Sequence, residues 1–232
     1  MASTPPAFGA DDLRLPDELR GPLLAHLAAL KERYLARNWA GRVGFGKRPA
    51  VIVIDLATFW VRPSEQMGSN VESVLQATCK VLEAARAAKV PIFFTTWAYD
   101  PAHPPSPNDR KLKYEFPTDP TPLFQLDPRL GRLPTEKIIS KRYASACKGT
   151  NLHDMLAGLG IDTLIVTGVS TSHCVYATCR DGTNSFRIIV PKEAVGERCE
   201  LMHEVFLWDI DTDLADVTPL DEVIRHIREV KP

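Results

Sequence analysis

The sequence predicts a doubly wound α/β fold, a mostly parallel sheet with helices on both faces. Two observations carry this expectation. Short apolar runs rich in β-branched residues, such as Ala50–Ile54, Leu164–Val166 and Ile188–Val190, lack the alternation of a half-exposed strand, as strands covered on both faces do. These runs also alternate with helical stretches, the order that builds a parallel sheet through crossover connections. Sites in such sheets lie beyond the C-terminal strand ends, so polar residues at those ends are the ones to weigh.

The first fifteen residues, rich in Pro, Ala and Asp, are expected to be mobile. From Pro16 to about Asn38, the spacing of Leu19, Leu23, Leu24, Leu27, Leu30 and Leu35 predicts an amphipathic helix. It precedes the repeating pattern, either as a cap or as an arm for a neighbouring subunit. Residues 1–43 are therefore read as an extension and 44–232 as the main domain. Pro49–Asp55 reads as a buried strand ending in a carboxylate. A helix follows from about Asn70 to Ala88, with Ser69 or Asn70 as N-cap. Val90–Trp97 is the next strand, its Pro91 tolerated at the start.

Asp100–Thr135 is long and studded with prolines, the pattern of an irregular lid or binding loop. Lys137–Ser140 is a short strand, and the helix Asn151–Leu159 is closed by Gly160. Asp162–Thr167 is a buried strand, Gly168–Ser172 a tight turn, and His173–Asn184 a helix. Arg187–Val190 is a strand, helical character begins again at His203–Leu207, and the last helix spans about Asp221–Arg228.

The chain has 232 residues, 44% apolar and 25% charged, with a formal net charge of −1. Without a long basic cluster, nucleic-acid binding is not expected. The longest apolar run, near Ala50–Leu56, is too short to span a bilayer, so no membrane partner is expected. No basic segment followed by an apolar run opens the chain, so no secretory signal is expected. Five scattered cysteines, none in a C-x-x-C, fit a reduced cytoplasmic setting better than a disulfide framework. Asp55 has no following D-x-H partner and no H-x-x-x-H occurs, so no metal and no other cofactor is expected.

Three polar residues at or just past predicted strand ends would be gathered by the fold: Asp55, Lys141 and Cys174. Cys174 opens a helix, whose N-terminal partial positive charge favours thiolate and whose unpaired N–H groups suit an oxyanion. The alternative is a buried structural cysteine. Asp55 is either a general acid/base or a loop cap, and Lys141 alone reads as a solvated surface lysine. Together they match triad logic with a carboxylate where histidine usually stands: a base for the thiol, an acid for the leaving amine and an ammonium beside both. His173, the neighbour of Cys174, points elsewhere on the helix and is expected to line the pocket or contribute its N–H. His153 and His203 are expected to face solvent or partners, and His103 to reach the site only from the loop. Phe59, Trp60, Trp97 and Tyr99 are either pocket walls or core.

Three blocks carry a resemblance: Arg48-Pro-Ala-Val-Ile-Val-Ile-Asp55, Lys141-Arg-Tyr-Ala-Ser-Ala-Cys-Lys-Gly-Thr-Asn-Leu152, and Val166-Thr-Gly-Val-Ser-Thr-Ser-His-Cys-Val-Tyr-Ala-Thr-Cys-Arg-Asp181. In this order the chain resembles the isochorismatase-like cysteine hydrolase superfamily over nearly all of Lys47 to Arg228. It resembles most the branch of N-carbamoylsarcosine and maleamate amidases, through Gly44-Phe-Gly-Lys-Arg-Pro49, Pro191-Lys-Glu-Ala-Val-Gly-Glu-Arg198 and His203-Glu-x-x-Leu-x-Asp-Ile210.

The resemblance implies a three-layer α/β/α fold with a catalytic triad on Asp55, Lys141 and Cys174. It also implies a cis peptide between Val169 and Ser170, with the His173 and Cys174 amides as oxyanion hole. It further implies a homo-oligomer, tetramer or dimer, and hydrolysis of a linear amide or N-carbamoyl C–N bond through a thioester, releasing ammonia or amine. The alternatives are an ester or thioester hydrolase with the same nucleophile, and a non-catalytic binding homologue. Where the branch has arginine two residues after the nucleophile, this chain has Tyr176; His173 replaces its glycine and Cys147 its phenylalanine. With Phe59, Trp60, Trp97, Tyr176 and His173 as substrate-binding residues, a bulkier and less cationic pocket is expected, suited to a neutral amide.

Overall fold

A computed structural model describes residues 13–65, 67–97, 106–111 and 122–230. The expectations for the first residues, Tyr99, His103 and much of the 100–135 excursion lie outside these. The elements are α1 (Asp17–Leu35), β1 (Pro49–Ile54), α2 (Thr58–Val61), α3 (Glu72–Ala87), β2 (Ile92–Trp97), α4 (Pro107–Lys111), β3 (Lys137–Lys141), α5 (Leu152–Gly158), β4 (Thr163–Val169), α6 (Tyr176–Gly182), β5 (Arg187–Pro191), β6 (Val195–Gly196), α7 (Glu200–Asp209), β7 (Asp216–Thr218) and α8 (Leu220–Glu229). The described strands form a seven-stranded sheet in the order β3-β2-β1-β4-β5-β7, with β6 paired to β4 and each of these pairings parallel.

Strand periodicity divides the core between the two faces. Val51 and Val53 of β1, Ile165 of β4 and Ile189 of β5 pack with α3 and α8 on one face. Ala50, Ile52, Ile54, Leu164, Val166, Ile188 and Val190 pack with α5, α6 and α7 on the other. Every residue of β1 and β4 is buried, which explains why neither strand alternates. Burying one Val, Leu or Ile side chain is worth about 1.5–3 kcal/mol, so these two central strands anchor the whole layer structure.

The predicted tight turn at Gly168–Ser172 begins later than expected. β4 continues through Val169, because Ile54 pairs with Gly168 and β6 takes up Gly168 and Val169 on the other side. Gly168 has φ 106°, and a Cβ there would penetrate the Ile54 carbonyl oxygen, so only glycine lets β4 pass β1. The helix predicted from His173 is preceded by a wide turn, Thr171–Val175, and regular α-helix starts at Tyr176. β6 and β7 were not expected; both are too short for a periodicity signal. The cap of α3 is Val71 without a side-chain hydrogen bond, in place of Ser69 or Asn70.

α1 has the expected length but buries none of its residues and is not amphipathic toward its own domain. It is held to α7 and its flank by polar contacts. Arg20 forms a bidentate pair with Glu200, Lys31 pairs with Asp211, and the Trp208 indole donates to the Leu27 carbonyl at 2.9 Å. Leu19, Leu24 and Leu35 remain exposed. Among the described residues no helix is long and apolar enough to cross a membrane.

Candidate active site

β1, β3 and β4 all run in the same direction, so their C-terminal ends open on one edge of the sheet. Asp55 directly follows β1, Lys141 ends β3, and Cys174 lies in the turn after β4. The side chains meet as topology requires. Lys141 Nζ is 2.7 Å from Asp55 Oδ2, 3.4 Å from Cys174 Sγ and 3.2 Å from the Tyr143 carbonyl. Lys141 thus donates hydrogen bonds to the thiol and the carbonyl and forms an ion pair with the carboxylate. The Lys141 side chain is 0% exposed, so the reading of an isolated surface lysine does not hold. Burial pushes its pKa down, but Asp55 and Cys174 together outweigh that and raise it, so it stays an ammonium.

Asp55 has φ 51°, a left-handed backbone that aspartate tolerates better than most side chains. Its conformation is held by buried Thr95 of β2, which accepts the Asp55 N–H at 3.1 Å and donates its hydroxyl to Asp55 Oδ1 at 2.7 Å. Trp97, at the end of the same strand, places its ring 5.8 Å below the Lys141 ammonium.

Cys174 differs from the expectation of a helix-stabilised thiolate. Burial, the charge of Asp55 and a hydrogen bond to it push the thiol up to about 12, and Lys141 offsets this only in part. The resting group is therefore a thiol. Cys147 and Cys179 are pushed up as well, to about 11 and about 12, chiefly by burial. What separates Cys174 from these two is its contact with a carboxylate and an ammonium.

The peptide between Val169 and Ser170 is cis. The Ser170 carbonyl then accepts from the His173 N–H at 3.0 Å and the Val175 N–H at 3.2 Å. The His173 amide, expected in the oxyanion hole, is thus committed to the turn itself. The His173 ring is 56% exposed, with Nδ1 2.8 Å from Ser172 Oγ.

The other expected binding residues divide. Phe59 is fully buried, edge-on to Trp60 and Phe124, because α2 turns the chain back into the core immediately after Asp55. It is core, not pocket wall. Trp60 packs against the same core cluster as α3. Tyr176 is committed at both ends to α7: its hydroxyl donates to Asp209 at 2.8 Å and its ring lies edge-on to Phe206. Trp97 is the aromatic among these whose ring faces the Lys141 ammonium in the described residues.

Three residues around the turn escaped the sequence reading. Glu197, its side chain 2% exposed, accepts the Ser172 N–H at 3.0 Å and the Ser172 hydroxyl at 2.6 Å on Oε2, and the Arg198 N–H at 2.9 Å on Oε1. Burial alone would raise its pKa; the His173 ring nitrogen 3.9 Å away, hydrogen bonds from Ser172 and the charge of Arg198 lower it to about 2. His203, expected to face solvent or partners, points Nδ1 at Thr171 Oγ1 at 2.9 Å, and burial depresses its pKa against the pull of Glu204 and Glu197. Thr95 is the third. As one of two threonines that follow the apolar start of β2, it carried no distinct sequence signal; Glu197 stood in a quoted block without a role. Among the described residues, no group of three or more His, Cys, Asp or Glu side chains could hold a metal ion.

A profile of the Isochorismatase domain matches residues 49–222. The chain is 37% identical to an N-carbamoylsarcosine amidase from an Arthrobacter species over 219 residues, covering 88% of this chain and 83% of that protein. It is 30% identical to a maleamate amidohydrolase from Pseudomonas putida, covering 83% and 92%. Among solved structures, an isochorismatase-like hydrolase from Alkaliphilus metalliredigens superposes with a TM-score of 0.66 at 25% identity, covering 77% of this chain and 98% of that one.

Proposed function

The chain belongs to the isochorismatase family, and from that premise we propose that it is a cysteine amidohydrolase cleaving an amide or N-carbamoyl C–N bond of a small molecule. The observation that carries the proposal is the Lys141 ammonium lodged between Asp55 Oδ2 and Cys174 Sγ at the strand ends.

Because the resting thiol is protonated, attack needs a base in contact with it, and Asp55 is that base. Asp55 takes the thiol proton as sulfur bonds to the substrate carbonyl carbon, and the carbonyl π electrons move to oxygen. The Cys174 amide, in the turn that opens toward α6, is the proposed donor to that oxyanion. Collapse of the tetrahedral adduct breaks the C–N bond, and Asp55 returns the proton to the leaving nitrogen, releasing ammonia or amine. A thioester on Cys174 remains. Water attacks it with Asp55 again as base, and Cys174 leaves as thiol. Lys141 stays charged throughout and stabilises whichever of its two neighbours is anionic at each stage. The relatives' names make N-carbamoylsarcosine and maleamate the first substrates to try. With Tyr176 turned to Asp209, it supplies no argument for a neutral over an acidic substrate.

The test is ammonia release from these two compounds and a set of neutral amides by wild type and Cys174→Ala. Release that falls about 10³-fold or more in the variant supports the mechanism, and a fully active variant overturns it.

A further inference from the structure

Asp55 must present a carboxylate to a protonated thiol from a backbone position that few side chains adopt. The polar partners of that carboxylate are few. Oδ2 faces Lys141 of β3, and Oδ1 accepts the hydroxyl of Thr95 at 2.7 Å. The same Thr95 oxygen accepts the Asp55 backbone N–H at 3.1 Å. One hydroxyl thus closes a ring from the Asp55 backbone to its own carboxylate. It fixes the left-handed φ of 51° and the side-chain torsion together. Thr95 is wholly buried, so no water substitutes for it readily.

We propose that Thr95 is a positioning residue for the reaction, holding the Asp55 carboxylate aimed at Cys174 and Lys141. The inference rests on the amidohydrolase reading and deepens it. Lys141 supplies the opposite charge, and Thr95 supplies direction: one carboxylate oxygen is tied to β2, so the other cannot rotate away from the thiol and ammonium. Lys141 on β3 and Cys174 on the turn after β4 are the titratable groups facing Asp55 among the described residues.

The comparison is wild type, Thr95→Val and Thr95→Ser. Valine keeps the shape and strand preference but removes both hydrogen bonds, whereas serine restores them. The primary readout is the position of the Asp55 carboxylate in crystal structures of the three proteins. The expected result is a carboxylate rotated away from Lys141 in Thr95→Val and returned in Thr95→Ser. In parallel, kcat for ammonia release falls about tenfold to hundredfold in Thr95→Val with KM within about twofold, and Thr95→Ser recovers most of it. An unmoved carboxylate with wild-type kcat in Thr95→Val, or equal impairment of valine and serine variants, overturns the proposal. Wild-type ammonia release that does not depend on Cys174 sinks the functional reading instead, and leaves the carboxylate position to decide Thr95 by itself.

Discussion

Glu197 gives the sharpest stability prediction, because its carboxylate is buried and accepts hydrogen bonds from Ser172 and Arg198. It holds the segment after β6 to the turn Thr171–Val175 through Ser172 and ionises at about 2 instead of 4.5. That difference corresponds to about 3 kcal/mol at pH 7, at 1.36 kcal/mol per pH unit. The folded pKa is depressed, so this stability is fully present above about 4.5 and is lost as pH falls through about 2. Linkage with these two values leaves about 1.4 kcal/mol at pH 3, so about 2 kcal/mol disappears between pH 7 and pH 3.

The perturbation is Glu197→Gln, which keeps the shape but cannot ionise. Urea unfolding of wild type and variant at pH 7, 5, 4 and 3 isolates the effect, since the other carboxyls titrate in both proteins and cancel in the difference. The variant should be less stable at pH 7, and the gap should narrow by about 2 kcal/mol at pH 3. A gap that stays constant from pH 7 to pH 3 would refute the assignment of a depressed carboxyl at this site.

Two further outcomes follow from the same geometry. Alkylation of Cys174 by iodoacetamide, read by mass spectrometry of its peptide, should climb about tenfold per pH unit from 7 to 10, because the thiol titrates near 12; a plateau below pH 8 would show a stabilised thiolate instead. Gly168→Ala should cost about 3 kcal/mol or more in thermal or urea unfolding, since the new methyl collides with the Ile54 carbonyl in a backbone of φ 106°. A near-neutral result there would mean that β1 and β4 can separate at the site.

The sequence alone determined the alternation of buried strands and helices, because β1 and β4 sit at the centre of the sheet and must be apolar on both faces. It also singled out Asp55, Lys141 and Cys174, since a parallel sheet sends strand ends to one edge whatever the loops do. It did not reveal which nearby side chains face that edge. Phe59 and Tyr176 stand far closer in sequence to Asp55 and Cys174 than Trp97 does, yet α2 folds one into the core and Asp209 draws the other to α7. Thr95, Glu197 and His203 reach the site from 40, 25 and 32 residues away from their respective partners Asp55, Ser172 and Thr171. The protonation of Cys174 was decided the same way. A helix start favours thiolate, but burial and the charge of Asp55, brought to the thiol by the pairing of β1 with β4, weigh more. Local pattern specifies which elements form; which side chains share a dielectric environment, and so which proton sits where, is a property of packing between distant segments.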